Sequence, residues 1–134
     1  MKTYFADTWF FIARIDPYDQ HHQQVMRLDR TVAGTRLLTH DYVLGELLTY
    51  FSGEVALARA NAVETVRAIR RSHEVAESTP ALFELALNRY AHRLDKEYSF
   101  VDCMSMVLME HHGITHVLTN DHHFRQEGFT VVNE

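Results

Sequence analysis

Short strand-like runs alternate with helix-patterned stretches along this 134-residue chain, and that alternation narrows its fold more than any other feature. Residues 3–6, 35–39, 73–77, 115–118 and 129–132 read as strands. Helical patterns fill the intervals: 9–15, 17–28, a third that Thr39 or Asp41 can cap, 54–71, one opening at Thr79-Pro80, and one opening at Ser99. A parallel strand pair needs a crossover connection, so the alternation predicts a mostly parallel sheet of about five short strands with helices on both faces. No internal repeat, low-complexity tract or linker divides the chain. Residues 1–134 are therefore expected to form one domain with a real hydrophobic core.

Apolar spacing assigns faces to these helices. Val43, Leu44, Leu47, Leu48 and Phe51 share one side of the third. Leu82, Phe83, Leu85, Ala86 and Tyr90 are expected to line the buried side of the helix after Pro80. The helix from Ser99 carries Phe100, Val101, Met104, Val107 and Leu108 on one face and Asp102, Met106 and Met109 on the other. A helix apolar on nearly all sides is a buried one. Gly113 stops it.

That places an acid, Asp102, at the start of a buried helix, where an isolated charge is costly and needs a partner. Ser99 and Asp102 also fit a capping box, and capping and metal binding are compatible because both use the helix start. Asp7 follows the first strand and Asp121 follows the fourth. Ligand sites in open α/β sheets lie outside the carboxyl ends of strands. Taken alone, each of these two residues reads more readily as a turn or cap aspartate. Glu46 lies off the apolar stripe of its helix, and local pattern reads it as exposed.

Composition excludes several functions. The formal net charge of −5 argues against broad, non-specific nucleic-acid binding, though not against a nuclease whose acids hold metal ions. The single cysteine, Cys103, forbids an internal disulfide, fits a reducing cytoplasm and reads as a core residue. No apolar run is long enough to span a membrane, and the first residues reach Asp7 too soon for a signal peptide. Ten histidines, several in pairs, invite a zinc reading, but no Cys pair or His-Glu-x-x-His accompanies them. They are set aside as surface or rim residues. The arginines at 59, 67, 70, 71, 89 and 93 read mainly as solvated helix faces. There is no glycine-rich phosphate loop and no Gly-x-Ser-x-Gly elbow.

Four pieces in order then carry a resemblance: Phe5-Ala6-Asp7-Thr8, Val43-Leu44-Gly45-Glu46-Leu47-Leu48, Ser99-Phe100-Val101-Asp102 and Leu118-Thr119-Asn120-Asp121-His122-His123-Phe124. Together they resemble the PIN domain (PilT N-terminus) nucleases, especially the toxins of VapBC-type toxin–antitoxin pairs. The resemblance implies a three-layer α/β/α sandwich with the first strand central. It implies an acidic quartet of Asp7, Glu46, Asp102 and Asp121 that holds Mg2+ or Mn2+ and hydrolyses RNA, with Thr8 and Thr119 holding carboxylates or water. It also implies a cognate antitoxin and a homodimer. The chain departs from the family pattern at Trp9, where Asn is frequent, and at His122 and His123, where a further acid sometimes follows the last aspartate. Those departures bear on metal number and substrate preference. The competing readings are a non-catalytic RNA-binding module of the same fold, a nuclease of RNA maturation, and a phosphorylatable receiver domain. The last lacks its early acid pair and late lysine here.

Overall fold

Phe5 and Ala6 are fully buried, and the strand that carries them lies at the centre of the sheet. The computed structural model describes residues 2–134. In chain order the elements are β1 (Thr3–Ala6), α1 (Thr8–Ile15), α2 (His22–Thr31), β2 (Arg36–His40), α3 (Asp41–Tyr50), α4 (Ala56–Ser72), β3 (Glu74–Ala76), α5 (Pro80–Ala91), α6 (Phe100–His112), β4 (His116–Leu118), α7 (His123–Gln126) and β5 (Thr130–Val132). All the strand pairs are parallel, in the order β3-β2-β1-β4-β5. Phe5 stands opposite Leu38 on one side and Val117 on the other. The chain winds outward from β1 through β2 to β3, then returns beside β1 as β4 and continues to β5. Right-handed crossovers put the connecting helices on opposite faces when the direction reverses, which yields the expected α/β/α sandwich. The reversal falls between β1 and β4. There the two chains diverge, and the Asp7 N–H donates to the Leu118 carbonyl (3.2 Å) at the foot of the crevice they leave. Among the described residues, no helix is long and apolar enough to cross a membrane.

Helix α6 is the core helix that its sequence predicts. Ser99 and Asp102 form both bonds of a capping box at its start. Residues 103–109 are buried without interruption, Cys103 among them. Burial of Met104, Met106, Leu108 and Met109 stabilises the fold by roughly 1.5–3 kcal/mol for each side chain. Gly113 ends the helix in the left-handed region (φ 67°), where glycine bears no Cβ penalty. The Ile114 N–H then closes back on the Met109 carbonyl (2.8 Å).

Several expectations need correction. Residues 17–21 form a turn rather than the first half of α2. The carboxylates of Asp16 and Asp19 accept bonds from the backbone N–H groups of Tyr18 and His21, a local geometry that competes with helix. On α5 only Ala86 is buried, and Phe83, Leu85 and Tyr90 are about half exposed. Phe83 and Tyr90 instead flank Phe100, the Phe83 ring lying 4.8 Å from it, so these aromatics cover the start of α6 from outside. Leu48 likewise faces partly outward. Arg89 and Arg93 are not merely solvated: both pair with Glu127 (3.5 and 3.0 Å).

The cap of α3 is neither Thr39 nor Asp41 but His40, whose Nδ1 accepts the Tyr42 N–H (3.1 Å). That acceptance puts the ring proton on Nε2, which donates to Ser105 Oγ (3.0 Å). Burial pushes the His40 pKa down from 6.5 to about 4. The folded state holds the ring neutral while the unfolded chain protonates it below 6.5. Its contribution is therefore complete above pH 6.5 and is lost as pH falls toward 4. Chemical denaturation of the wild type and of His40→Asn, which still offers a capping oxygen, checks this. The stability difference between them is expected to shrink by about 3 kcal/mol from pH 7 to pH 4. A pH-independent difference would contradict it.

Candidate active site

Asp7 is the first residue past the central strand and is almost fully buried. It occupies the N-cap position of α1 without a side-chain capping bond. Its Oδ2 turns to the crevice and accepts a bond from Thr119 Oγ1 (2.8 Å). Thr119 is fully buried at the end of β4, and the same hydroxyl accepts the Asp121 N–H (3.2 Å). One threonine thus ties together the loops that leave the two strands at the switch point.

Two more acids reach this rim from helices. Glu46, on α3, accepts a bond from Thr8 Oγ1 at its Oε1 (2.6 Å) and is partly buried rather than exposed. Asp102, in the first turn of α6, accepts the Ser99 N–H at Oδ2 (3.2 Å). Asp121 accepts the His123 N–H at Oδ1 (2.9 Å), so its turn reading is also correct. All the sequence-predicted residues (Asp7, Thr8, Glu46, Asp102, Thr119 and Asp121) therefore meet at the carboxyl edge of the sheet. Each carboxylate has an oxygen held by a bond to the protein, which fixes its rotamer while leaving lone pairs to offer.

The electrostatics of this rim are unfavourable to the bare chain. Burial pushes the Asp7 pKa from 3.8 to about 7. The Thr119 hydroxyl and the Thr8 backbone N–H pull it back, and the charges of Asp102 and Glu46 push it up further. Burial also raises Asp102, with the charge of Asp121 adding to it. A divalent cation would reverse this penalty. The donors are carboxylate and hydroxyl oxygens with no thiolate, a set that suits hard cations such as Mg2+ and Mn2+.

Sequence reasoning passed over His123. His122 beside it is exposed, but the His123 ring turns inward, with Nδ1 3.1 Å from Asp121 Oδ1 and 3.8 Å from Asp102 Oδ2. A paired histidine on a four-residue helix leaves no periodicity to read. Its position two residues past Asp121 was the one available signal. Next to the acids, on the side of Thr8 and Glu46, a cavity of about 690 Å3 opens between α1, α3 and the 17–21 turn. Trp9, Ile12, His21 and Tyr50 line it, and the Trp9 and His21 rings meet edge to face at 5.7 Å.

The model of the PIN domain family matches residues 4–129 of the chain. The 23S rRNA-specific endonuclease VapC20 of Mycobacterium tuberculosis is 30% identical over 131 residues, 96% of each protein. The crystal structure of that protein, described as a sarcin–ricin-loop-cleaving toxin, superposes with a TM-score of 0.85 over 97% of this chain and 98% of the other. The fold is also that of VapBC2 from Rickettsia felis bound to a promoter DNA fragment (TM-score 0.72, 12% identity, 98% of each chain). FitAcB from Neisseria gonorrhoeae shares it too (0.67, 15%, 96% of each).

The raised Asp7 carboxyl yields a prediction independent of any activity. Its folded pKa exceeds its unfolded one, so its ionisation penalises the fold above pH 7, and the penalty fades as pH falls toward 3.8. In metal-free buffer at pH 8, Asp7→Asn is expected to be more stable than wild type, by up to about 4 kcal/mol. Added Mn2+ should raise the melting temperature of the wild type and not of the variant. A variant less stable than wild type at pH 8, or equally stabilised by Mn2+, would contradict this reading.

Proposed function

The chain belongs to the PIN domain family, and from that premise we propose that it is a divalent-metal-dependent endoribonuclease, the toxin of a VapBC-type pair. The observation that carries the reading is the meeting of Asp7, Glu46, Asp102 and Asp121 at the β1–β4 switch point, each on a different loop or helix and each held by a protein hydrogen bond. A purely RNA-binding module gains nothing from clustered buried carboxylates, which repel both one another and phosphate.

In this reading Asp7 and Asp102 bind the cation directly, and Glu46 and Asp121 do so directly or through water. Mg2+ is the ion expected, with Mn2+ an alternative. The cation supplies an activated water, charge neutralisation on the phosphodiester and stabilisation of the leaving oxygen. The chain's own residues supply placement. Thr119 holds Asp7 by donating to it, and the Ser99 backbone holds Asp102. Thr8 anchors Glu46 (2.6 Å) at the entrance of the neighbouring cavity. The flat faces of Trp9, His21 and Tyr50 give an unstacked base beside the scissile phosphate a surface to rest on.

Substrate and partner follow the relatives. VapC20 acts on 23S rRNA and is described as a toxin, and the FitAcB and VapBC2 neighbours share its fold. For this chain the reading is RNA as substrate, a small antitoxin that covers the acids, and self-association into a homodimer. Growth arrest on expression, relieved by the protein encoded beside it, would separate a toxin from an RNA-maturation nuclease.

Purified protein with Mg2+ or Mn2+ is expected to cut structured RNA, and chelation to stop it. Asp102→Asn should lower the rate by more than about 100-fold, beyond the loss typical of an outer-shell change, with an unaltered circular dichroism spectrum. Cutting at the wild-type rate would overturn the assignment. Trp9 is the chain's only tryptophan, so its fluorescence reports on the cavity alone. Single-stranded RNA added to the Asp7→Asn protein should quench it, and Trp9→Ala should weaken RNA binding by roughly 1–3 kcal/mol. Unchanged fluorescence with RNA bound would place the bases elsewhere.

A further inference from the structure

His123 Nδ1 is buried, lies within 3.1 Å of Asp121 Oδ1, and yet makes no hydrogen bond to it. The distance suits a hydrogen bond but the direction does not. A hydrogen bond would put the oxygen on the ring nitrogen's in-plane axis. Two neighbouring ligands of one octahedral cation are arranged differently. At metal–ligand distances of about 2.1 Å they stand about 3 Å apart, and from either ligand the other is seen about 45° off the line to the metal. Close but misaligned donors are what shared coordination produces. Asp102 Oδ2, at 3.8 Å, is within the small adjustment that binding would bring. Asp121, His122 and His123 also offer ligand atoms within 4.8 Å of one another.

The ring is held for this task. Its backbone N–H is bonded to Asp121, and Tyr98, itself buried, packs on it with centroids 5.2 Å apart. The Tyr98 hydroxyl is anchored on Glu127 (3.0 Å), which Arg89 and Arg93 hold in turn. A surface histidine would need no such backing.

We propose that His123 is a nitrogen ligand, through Nδ1, to the cation held by Asp102 and Asp121, making this a mixed nitrogen–oxygen site whose affinity for transition-metal dications such as Mn2+ and Co2+ is raised relative to that of an all-oxygen site. The inference rests on the reading of the acids as a cation site. Imidazole favours the later first-row ions, whereas an all-oxygen site suits Mg2+ and Ca2+. A ring nitrogen in place of a further carboxylate also lowers the repulsion among the acids.

Electron spin-echo envelope modulation of the wild type loaded with one equivalent of Mn2+ tests it without any turnover. Modulation from a directly bound 14N is expected, persisting in His122→Ala and absent from His123→Ala. Calorimetric titration with Co2+ and with Mg2+ is the second readout. His123→Ala should lose Co2+ affinity by at least about tenfold, with a much smaller loss for Mg2+. Mn2+ bound without nitrogen modulation in the wild type would overturn the His123 ligand and leave the acid site standing. Modulation that disappears with His122 instead would overturn it too. Failure of the wild type to bind Mn2+ at all would overturn both readings. A wild-type spectrum without nitrogen modulation overturns the ligand even if the variants misfold, and retention of the signal in folded His122→Ala assigns it to His123.

Discussion

The mutual repulsion of carboxylates held out of water is the constraint this structure has to accommodate. Asp7, Asp102, Glu46 and Asp121 come from four separate parts of the chain, and nothing in their own chemistry draws them together. Position is enforced by what lies beneath. Asp7 follows the central strand, and Asp102 lies at the start of the helix that is buried without interruption over residues 103–109. Thr119 is the joint, donating to Asp7 and accepting from the backbone of Asp121. The upward displacement of the Asp7 and Asp102 carboxyls comes first from their burial and then from the neighbouring acids, both of which the scaffold imposes. A site that is unfavourable when empty gains its ligand's binding free energy as stability, so a cation bound there would stabilise the fold.

The topology explains why this edge was available. Reversal of strand order between β1 and β4 parts the loops at one place on the rim, and the sheet's centre is there too. Residues placed at that point sit on rigid elements, which keeps a reactive constellation within narrow tolerances. The wall between α1 and α3 is aromatic. It carries Trp9, one of the positions at which the sequence departs from the pattern it resembles.

Much of this was legible from the residues. The strand–helix alternation determined the sandwich, because parallel strands cannot be joined otherwise. Asp7 and Asp121 were legible as rim residues because each follows an apolar strand, and Asp102 because a buried helix cannot easily keep a lone charge. Glu46 was not. Helical period marks it only as off the apolar stripe, and the hydroxyl that donates to it is 38 residues away on Thr8. The family pattern supplied what local physics lacked. The 17–21 turn was hidden because two aspartates bond their own backbone, an effect that polar composition does not distinguish from a solvated helix. His123 was hidden because its four-residue helix is barely one turn, too short to show a repeating pattern, and its neighbour His122 is an ordinary surface residue.

The most direct test of the central claim, that these acids form one cation site, is anomalous diffraction at the manganese edge from crystals grown with Mn2+. The predicted result is a peak bounded by the carboxylates of Asp7 and Asp102, at the carboxyl edge of β1 and β4. Manganese bound only elsewhere on the protein, with none among these carboxylates, would contradict it.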